Sequence, residues 1–363
     1  MGMQERIREF EDEIKKTQVN KATEFHLGQL KAKIAKLKRE LISPHRIKAG
    51  KGGGGFDIKK SGDATVAIMG LPSVGKSTLL NKITHAESKT AAYAFTTLKC
   101  IPGILEYNKA KIQVLDLPGI IEGAKDGRGR GREVIGVART ADLLMIILDA
   151  ANAEKEYEII KRELYGFGIR INSKPPDVVV RKTMKGGLVM NSTVKLTKIS
   201  EREVQAVLGE YGIYNADVVF RNDVDVDGFI DVVEGNRVYI PVIITVNKID
   251  LVGGKVGKKL PFDYIPISAE KGQNLAALKD AIYQKLDFIN IYTKRRGEKA
   301  DIEEPMILRR GVTVGGVCGQ LHRDLKKQFR YALVWGKSVK HQPQRVGLEH
   351  VLADDDILQI IKR

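Results

Sequence analysis

The stretch GLPSVGKS at residues 70–77 constrains the fold of this chain more than any other feature. It matches Gly-x-x-x-x-Gly-Lys-Ser, follows the apolar run TVAIMG and precedes TLLNKI, which has a helical pattern. A glycine-rich loop between a strand and a helix lets backbone N–H groups surround phosphate oxygens. We expect Lys76 to meet the β- and γ-phosphates and the Ser77 hydroxyl to bind Mg²⁺. The predicted ligand-contacting residues are Gly70, Leu71, Pro72, Ser73, Val74, Gly75, Lys76, Ser77 and Thr78.

Short β-branched runs recur after this loop, and helical patterns separate most of them. The runs are TVAIMG, KIQVLDLPG, LLMIILDA, VYIPVIITVNKID and YIPISA. Alternation of this kind predicts an α/β fold, with a mainly parallel sheet covered by helices. The fold class expected here is therefore a P-loop nucleotide-binding domain carrying additional modules.

The additional modules are indicated by changes of pattern along the chain. Apolar residues at helical spacing precede SPH and the glycine-rich KAGKGGGG, which predicts a helical hairpin followed by a linker. SEREVQAVLGEYG contains a capping box, Ser200 with Glu203, inside a segment too long for a simple connection. The expected parts are a basic helical region with linker (1–60), the nucleotide-binding domain (61–168 and 238–290), an inserted α+β subdomain (169–237), a linker (291–304) and a small β-rich module (305–363).

The charge distribution favours an anionic partner. The chain has a net charge of +16, of which residues 1–60 supply 15 Lys/Arg against 8 Asp/Glu. We favour a ribosome or RNA over a merely solvated face, and expect neither DNA nor a membrane as partner. The charged N-terminus is unlike a secretory signal, and two cysteines suit a reducing compartment. A cytoplasmic location is therefore expected.

Two later segments carry groups suited to a phosphate-bound Mg²⁺. In FTTL, which begins at Phe95, we choose Thr97 as the second metal ligand, and Thr96 is the alternative. Asp116 ends a strand, at the sheet edge where ligands bind in such folds, and is expected to support the metal through water. The N–H of Gly119 is expected to contact the γ-phosphate. The predicted catalytic residues are Lys76, Thr97 and Gly119, and the predicted metal site is Ser77, Thr97 and Asp116.

The segment NKID predicts recognition of guanine. Asp250 is placed to accept hydrogen bonds from the guanine N1–H and 2-amino group, Asn247 to bond the base edge and brace the P-loop, and Lys248 to cover the ring. ISAEKG places the N–H groups of Ser268 and Ala269 where they reach the base oxygen. Adenine would leave Asp250 unpaired, and such sites discriminate by roughly 10⁴ or more. In this order after a P-loop, these motifs specify GTP and GDP.

These residues resemble the Obg branch of the translation-factor-related GTPases, and more closely the developmentally regulated GTP-binding proteins. The similarity is carried by GLPSVGKSTLLNKIT, YAFTTLKCIPGILEY, DLPGIIEGA, GREVIGVARTADL and DGFIDVVEGNRVYIPVI. It runs nearly end to end and implies a GTPase domain with an insert and a C-terminal β-grasp module of the TGS type. It also implies a cytosolic GTPase linked to ribosomes and translation, often working with a stabilising partner protein.

One position departs from many GTPases. Ile120 stands where they carry a glutamine that orients the attacking water, and isoleucine has no group for that task. We therefore expect slow intrinsic hydrolysis, stimulated by a partner, the ribosome or a monovalent cation. In relatives that use K⁺, an asparagine of the P-loop is a usual ligand of the ion. Ser73 stands at that position here, which argues against direct coordination, and K⁺ is kept as an alternative cofactor.

Four rival interpretations stay open at this point. The chain could be an RNA- or ribosome-binding scaffold in which GTP is structural; a preference for ATP is weaker, because NKID is intact. GRGRGR at 127–132 is interpreted as part of a switch loop, with an RNA-binding segment as the alternative. DVDVDGFIDVVE at 223–234 matches a calcium-loop pattern, but its surroundings favour an acidic surface turn.

Overall fold

The computed structural model describes residues 2–42, 62–84, 101–117, 130–253, 260–295, 297–298, 300–322 and 324–362. The predictions for Phe95, Thr96, Thr97, Gly119 and Ile120 lie outside these residues, as do the glycine-rich linker and residues 127–129 of GRGRGR. The chain divides into two compact units, residues 1–57, 121–139 and 157–241, and residues 58–120, 140–156 and 242–363.

The secondary structure comprises sixteen strands and ten α-helices within the described residues. The strands are β1 Ala64–Met69, β2 Ile101–Tyr107, β3 Ala110–Asp116, β4 Leu143–Asp149, β5 Ile169–Ile171, β6 Val178–Lys182, β7 Leu188–Ser192, β8 Ala216–Phe220, β9 Val238–Ile240, β10 Val242–Asn247, β11 Ile265–Pro266, β12 Phe288–Thr293, β13 Met306–Arg309, β14 Phe329–Trp335, β15 Gln344–Val346 and β16 Asp356–Lys362. The helices are α1 Met3–Lys16, α2 Glu24–Ile42, α3 Lys76–Ile83, α4 Arg130–Thr140, α5 Ala153–Gly166, α6 Glu201–Glu210, α7 Val226–Glu234, α8 Leu275–Leu286, α9 Val314–Leu321 and α10 Leu325–Gln328. A 3₁₀ turn covers Ile249–Val252.

A six-stranded sheet in the order β11-β10-β4-β1-β3-β2 forms the centre of the second unit. Its strands are parallel except for β2, which runs antiparallel to β3. All six residues of β1 and of β10 are buried, as expected for parallel strands covered on both faces. Helices α3 and α8 pack against this sheet. The carboxyl ends of β1, β3, β4 and β10 therefore share one edge, where the phosphate loop begins.

Two details of this sheet differ from the sequence prediction. The run VYIPVIITVNKID forms two strands, because Pro241, which has no N–H group, separates β9 from β10. Strand β9 pairs with β5 in a separate two-stranded sheet, whereas β10 pairs with β4. Strand β2, which the runs above did not include, extends the sheet at its edge.

The insert has its own sheet and core. Strand β8 lies between antiparallel β6 and parallel β7, and helices α6 and α7 pack with it around Phe220 and Phe229, both fully buried. The predicted capping box is present: Ser200 Oγ accepts from the Glu203 N–H, and the Glu203 carboxylate accepts from the Ser200 N–H. This segment therefore has α-helices and a β-sheet around a hydrophobic core of its own.

The N-terminal hairpin is more closely joined to the insert than its sequence predicts. Helix α1 packs against α2, but Ile7 is the buried residue of α1. Helix α2 also packs against α6 and α7, and Ala32 lies in the core of the insert. The apolar face of α2 therefore packs against helices of the insert as well as against α1.

The acidic segment at 223–234 is mostly helical rather than a surface turn. The Asp225 carboxylate accepts from the Gly228 N–H and begins α7, and Gly235 ends that helix at φ +62°. Asp223 accepts from the Thr197 hydroxyl, Asp227 is paired with Lys31, and Glu234 accepts from the Tyr211 hydroxyl. The carboxylates that match the calcium pattern are thus directed to separate protein partners.

The C-terminal module is a five-stranded sheet in the order β13-β12-β16-β14-β15, and α9 packs against it through Val314, Val317 and Cys318. Strand β12 shows that the predicted linker at 291–304 begins too early, since residues through Thr293 belong to this sheet. This strand was hard to predict because Asp287, at φ +50°, is the only residue between α8 and β12, so no loop sequence marks the boundary. Within the described ranges, no helix is long and apolar enough to cross a bilayer.

Candidate nucleotide-binding site

The loop at residues 70–75 curves tightly between β1 and α3, and its glycines are required by that path. A Cβ on Gly70 would lie 2.5 Å from the Ile147 carbonyl oxygen, and one on Gly75 would lie 2.4 Å from Asn247 Nδ2. Gly75 also has φ +94°, which side chains rarely adopt. Val74 is buried and anchors the loop to the core. The backbone conformation predicted from the sequence is therefore enforced by close packing.

Lys76 begins α3, and its ammonium group turns back over the loop. Lys76 Nζ donates to the carbonyl oxygens of Gly70 at 3.0 Å and Leu71 at 2.8 Å. This holds a positive charge at the mouth of the loop, beside the N-terminus of α3, where the helix dipole also favours anions. The arrangement suits a polyphosphate.

Asp116 and Ser77 meet beside the loop. Ser77 Oγ donates to Asp116 Oδ2 at 2.8 Å, whereas Asp116 Oδ1 is buried without a hydrogen-bond partner. Burial raises the pKa of Asp116, against the hydrogen bond from Ser77 and the nearby charge of Lys76, which lower it. A buried carboxylate oxygen beside a hydroxyl is a donor set of the kind Mg²⁺ prefers, so these residues fit the metal.

Asn247 joins the phosphate loop to the two loops that follow β10 and β11. Its Nδ2 donates to the Val74 carbonyl oxygen at 2.8 Å, and its Oδ1 accepts from the Ala269 N–H at 2.9 Å. The side chain is buried with the rest of the residue, which is 2% exposed. The predicted bracing of the P-loop is therefore present.

Lys248 is fixed by an acidic pair that the sequence reasoning missed. Its Nζ lies 2.7 Å from Asp149 Oδ2, and the Asp149 N–H donates to Glu156 Oε2. Although burial opposes ionisation, hydrogen bonds from Lys248 and the Ala151 N–H lower the pKa of Asp149. Burial raises the pKa of Glu156. Asp149 could have been found from its position at the end of β4, since it pairs with Asn247 at the end of β10.

Asp250 lies in the 3₁₀ turn after Lys248, and its side chain is 9% exposed. A hydrogen bond from Ser268 is the main cause that lowers the pKa of Asp250, with a further contribution from Lys271, whose Nζ lies 3.8 Å away. Asp250 is thus held ionised, as an acceptor of two N–H groups must be.

The other predicted base contacts are used within the protein. The Ser268 N–H donates to the Gln273 carbonyl oxygen, and the Ala269 N–H donates to Asn247. The contact of these N–H groups with the base oxygen stays a prediction. The residues brought together at one sheet edge in the second unit are 70–78, Asp116, Asn247, Lys248, Asp250, Ser268 and Ala269, whereas those at 95–97 and 119 lie outside the described residues.

Three family models match most of the chain, from residue 65 to residue 362. Residues 65–182 match a model described as "50S ribosome-binding GTPase", residues 185–288 match "C-terminal region of MMR_HSR1 domain", and residues 289–362 match "TGS domain". The TGS match begins at Ile289, in agreement with the inclusion of β12 in the C-terminal sheet.

Individual relatives are similar over their full length. An uncharacterized GTP-binding protein of Methanocaldococcus jannaschii is 53% identical over 99% of this chain and 93% of the relative. The developmentally-regulated GTP-binding protein 1 homolog of Dictyostelium discoideum is 51% identical, and developmentally-regulated GTP-binding protein 2 of Homo sapiens is 49% identical, each over 100% of both chains. With the phosphate loop, the Asn247 brace and Asp250 in place, this similarity shows that the chain belongs to the developmentally regulated GTP-binding protein family, GTPases with a P-loop domain and a C-terminal TGS domain.

Proposed function

We propose that this protein is a Mg²⁺-dependent GTPase that works as a slow conformational switch on ribosomes. The observation that carries the proposal is the Asn247 side chain, which links Val74 in the phosphate loop to Ala269 beside the base-recognition loops. Through this link, the groups that bind phosphate and those that select the base act as one site. Nucleotide identity and phosphate number are therefore sensed together.

The division of roles follows from the geometry of the described residues. Lys76 and the loop N–H groups hold the phosphates, while Ser77 and Asp116 would hold Mg²⁺. When bound, Mg²⁺ supplies charge neutralisation on the phosphate oxygens. On sequence grounds, Thr97 completes the metal site and Gly119 reports the γ-phosphate. No general base is assigned.

Guanine selectivity is tested by calorimetry on nucleotide-stripped protein. Asp250 accepts from the two N–H groups that guanine presents and adenine lacks. We expect GDP to bind at least about 10⁴-fold more tightly than ADP. Equal affinities would overturn the assignment of the base site.

Slow turnover is supported by Ile120, which offers no polar group to the attacking water. We propose intrinsic rates on the order of 10⁻⁴ s⁻¹ that a partner protein, the ribosome or K⁺ increases. Single-turnover hydrolysis in K⁺ and in Na⁺ separates these sources. Equal rates in the two salts would exclude K⁺ as the source of stimulation and leave a partner protein or the ribosome.

Ribosome association is supported by the description of the family model over residues 65–182 and by the net charge of +16. Sedimentation with ribosomes in GDP, GTP and a non-hydrolysable analogue tests it. A switch associates in one nucleotide state more than in the other. Association that ignores the nucleotide would favour the alternative, a cytoplasmic RNA- or ribosome-binding scaffold in which GTP is structural.

A further inference from the structure

One end of the insert presents cations and an aromatic ring together. We call this surface the insert tip and define it as Arg181, Lys182, Met184, Lys185 and Tyr214. The first four residues lie at the end of β6 and in the loop to β7, and Tyr214 lies just before β8. All five side chains are exposed, Met184 fully and Tyr214 to 70%.

Backbone hydrogen bonds fix Tyr214 beside the loop. The Thr183 N–H donates to the Asn215 carbonyl oxygen at 3.0 Å, and the Gly187 N–H donates to Asn215 Oδ1 at 2.9 Å. The Ala216 N–H in turn donates to the Gly187 carbonyl oxygen. Asn215 therefore closes the loop on both sides, and the neighbouring Tyr214 shares its surface. The loop that follows the cations Arg181 and Lys182 and the segment that carries Tyr214 are therefore adjacent in the backbone.

The patch has an excess of positive charge. Residues 174–198 contain six Lys/Arg and one Asp, and that residue, Asp177, is paired with Arg221. Within the described part of the chain, no carboxylate lies within ion-pair distance of Arg181, Lys182 or Lys185; Asp217 is opposite Arg181 in the strand register. Three exposed cations without ion-pair partners favour a polyanion.

The Tyr214 ring and the Met184 side chain are not part of the hydrophobic core of the insert. The insert buries Phe220, Phe229 and Leu208 in a core that does not include Tyr214 or Met184. Among the described residues, Tyr214 has no ring or side-chain hydrogen-bond partner. A single exposed tyrosine is ordinary. An exposed tyrosine on a segment next to three such cations offers a stacking surface for an unpaired base and positive charges for its phosphates.

We infer that the insert tip binds single-stranded RNA, with Arg181, Lys182 and Lys185 on phosphates and a base stacked on Tyr214. The inference rests on the proposed association with RNA and assigns it to residues outside the nucleotide site. An acidic protein segment would satisfy the cations but has no base to stack on the ring. Duplex RNA keeps its bases stacked internally and would likewise leave Tyr214 unused.

The test measures binding of the full chain, in GDP and Mg²⁺, to short poly(U) RNA, to duplex RNA and to polyglutamate. Changing Arg181, Lys182 and Lys185 together to glutamine should lower the slope of log K against log salt by about 2, since each phosphate contact on a single strand contributes about 0.7. Tyr214→Ala should weaken poly(U) binding about 10-fold, and Tyr214→Phe should retain it. A matched control changes Lys155, Lys161 and Arg162 on α5 to glutamine.

The outcomes separate this inference from the proposed function. The inference is supported if the wild type prefers poly(U) to duplex RNA and polyglutamate, if the tip variants bind poly(U) more weakly, and if the α5 control binds it like the wild type. Equal loss in the α5 control, an inert Tyr214→Ala, or equal binding of duplex RNA or polyglutamate overturns it. GDP affinity, measured on every variant, should stay unchanged. Failure of guanine binding in the wild type would instead reject the GTPase proposal, whatever the tip does.

Discussion

Lys248 is positioned by Asp149, with 2.7 Å between Lys248 Nζ and Asp149 Oδ2 at the carboxyl ends of two adjacent strands. The Asp149 N–H is held in turn by Glu156, and the Ala151 N–H donates to Asp149 Oδ1. The four carbons of the Lys248 side chain are therefore held along the site rather than free in solvent. Asp149 acts through Lys248, which makes it a positioning residue for the nucleotide.

We predict that Asp149→Ala weakens GDP binding about tenfold, because a charge-assisted hydrogen bond contributes roughly 1.5–3 kcal/mol and only part of it reaches the ligand. Asp149→Asn keeps an acceptor for Lys248 and should lose less. Calorimetry with GDP measures both. Asp12→Ala is the control, since Asp12 forms an exposed pair with Lys15. An equal affinity for wild type and Asp149→Ala would show that Lys248 needs no support.

Asn247→Ala should affect both stability and binding. The substitution leaves the buried Val74 carbonyl and the Ala269 N–H without their partner. Each orphaned group costs about 1–3 kcal/mol, so the free energy of unfolding should fall by about 2–6 kcal/mol. Urea denaturation measures the loss, with Asn191→Ala at an exposed position of β7 as control. A stability equal to that of the control would mean that water replaces the amide.

Asp116 should make the metal response depend on pH. Because its pKa is raised in the folded state, the folded protein binds more protons than the unfolded chain between the ordinary Asp pKa, about 3.9, and the raised value. In that window Asp116 adds stability to the nucleotide-free protein as pH falls, whereas Mg²⁺ needs the ionised carboxylate. The stabilisation by Mg²⁺ and GDP should therefore shrink over the same window.

Denaturation curves at a series of pH values, with and without Mg²⁺ and GDP, check this. In Asp116→Asn, both pH effects should disappear, because the amide does not titrate and leaves Ser77 an acceptor. A wild-type metal response that is constant through the window would contradict the role given to Asp116.

The phosphate loop and NKID were predictable because each is a local pattern whose residues meet within a few positions. Gly70 and Gly75 are needed by the backbone path, and Asp250 follows Asn247 by three residues. The support for these motifs was not predictable. Asp149 precedes Lys248 by 99 residues, and their contact depends on the order of strands in the sheet.

The boundaries of the modules were also hard to predict from the sequence, because they depend on which strands pair with each other. Pro241 separates β9 from β10 within one β-branched run, and only the pairing partners reveal that they belong to different sheets. Helix α8 ends and β12 begins on the two sides of Asp287, without an intervening loop. The apolar stripe of α2 predicts burial but does not say which surface covers it, and that surface is the insert.

Arg139 is predicted to hold the two ends of the insert together. At the end of α4 its guanidinium donates to the Phe167 carbonyl at 3.1 Å and to the Asn236 carbonyl, which lie just before β5 and β9. Burial, and then the charge of Arg237, lower the pKa of Arg139. Arg139→Lys retains the charge but not the planar fork that reaches both oxygens.

We expect Arg139→Ala to lower the free energy of unfolding by about 1–3 kcal/mol and Arg139→Lys to recover only part of it. Hydrogen exchange should increase in β5 and β9 before it increases in β8. Arg162→Ala, at an exposed position of α5, is the control. Uniform exchange across the insert would contradict a local clamp.

Asp231 makes a buried charge contact with two arginines of the insert. Its carboxylate accepts from Arg170 Nε at 2.6 Å and Nη2 at 2.7 Å, and from Arg237 Nε at 2.9 Å, and all three side chains are at most 10% exposed. Asp231→Ala leaves two guanidinium groups without this anion, which should cost about 3–5 kcal/mol in unfolding free energy. Asp177→Ala, which removes an exposed pair with Arg221, should cost at most about 1 kcal/mol. A loss in Asp231→Ala no larger than the loss in Asp177→Ala would contradict this role, because it would mean that the two guanidinium groups do not need the buried anion.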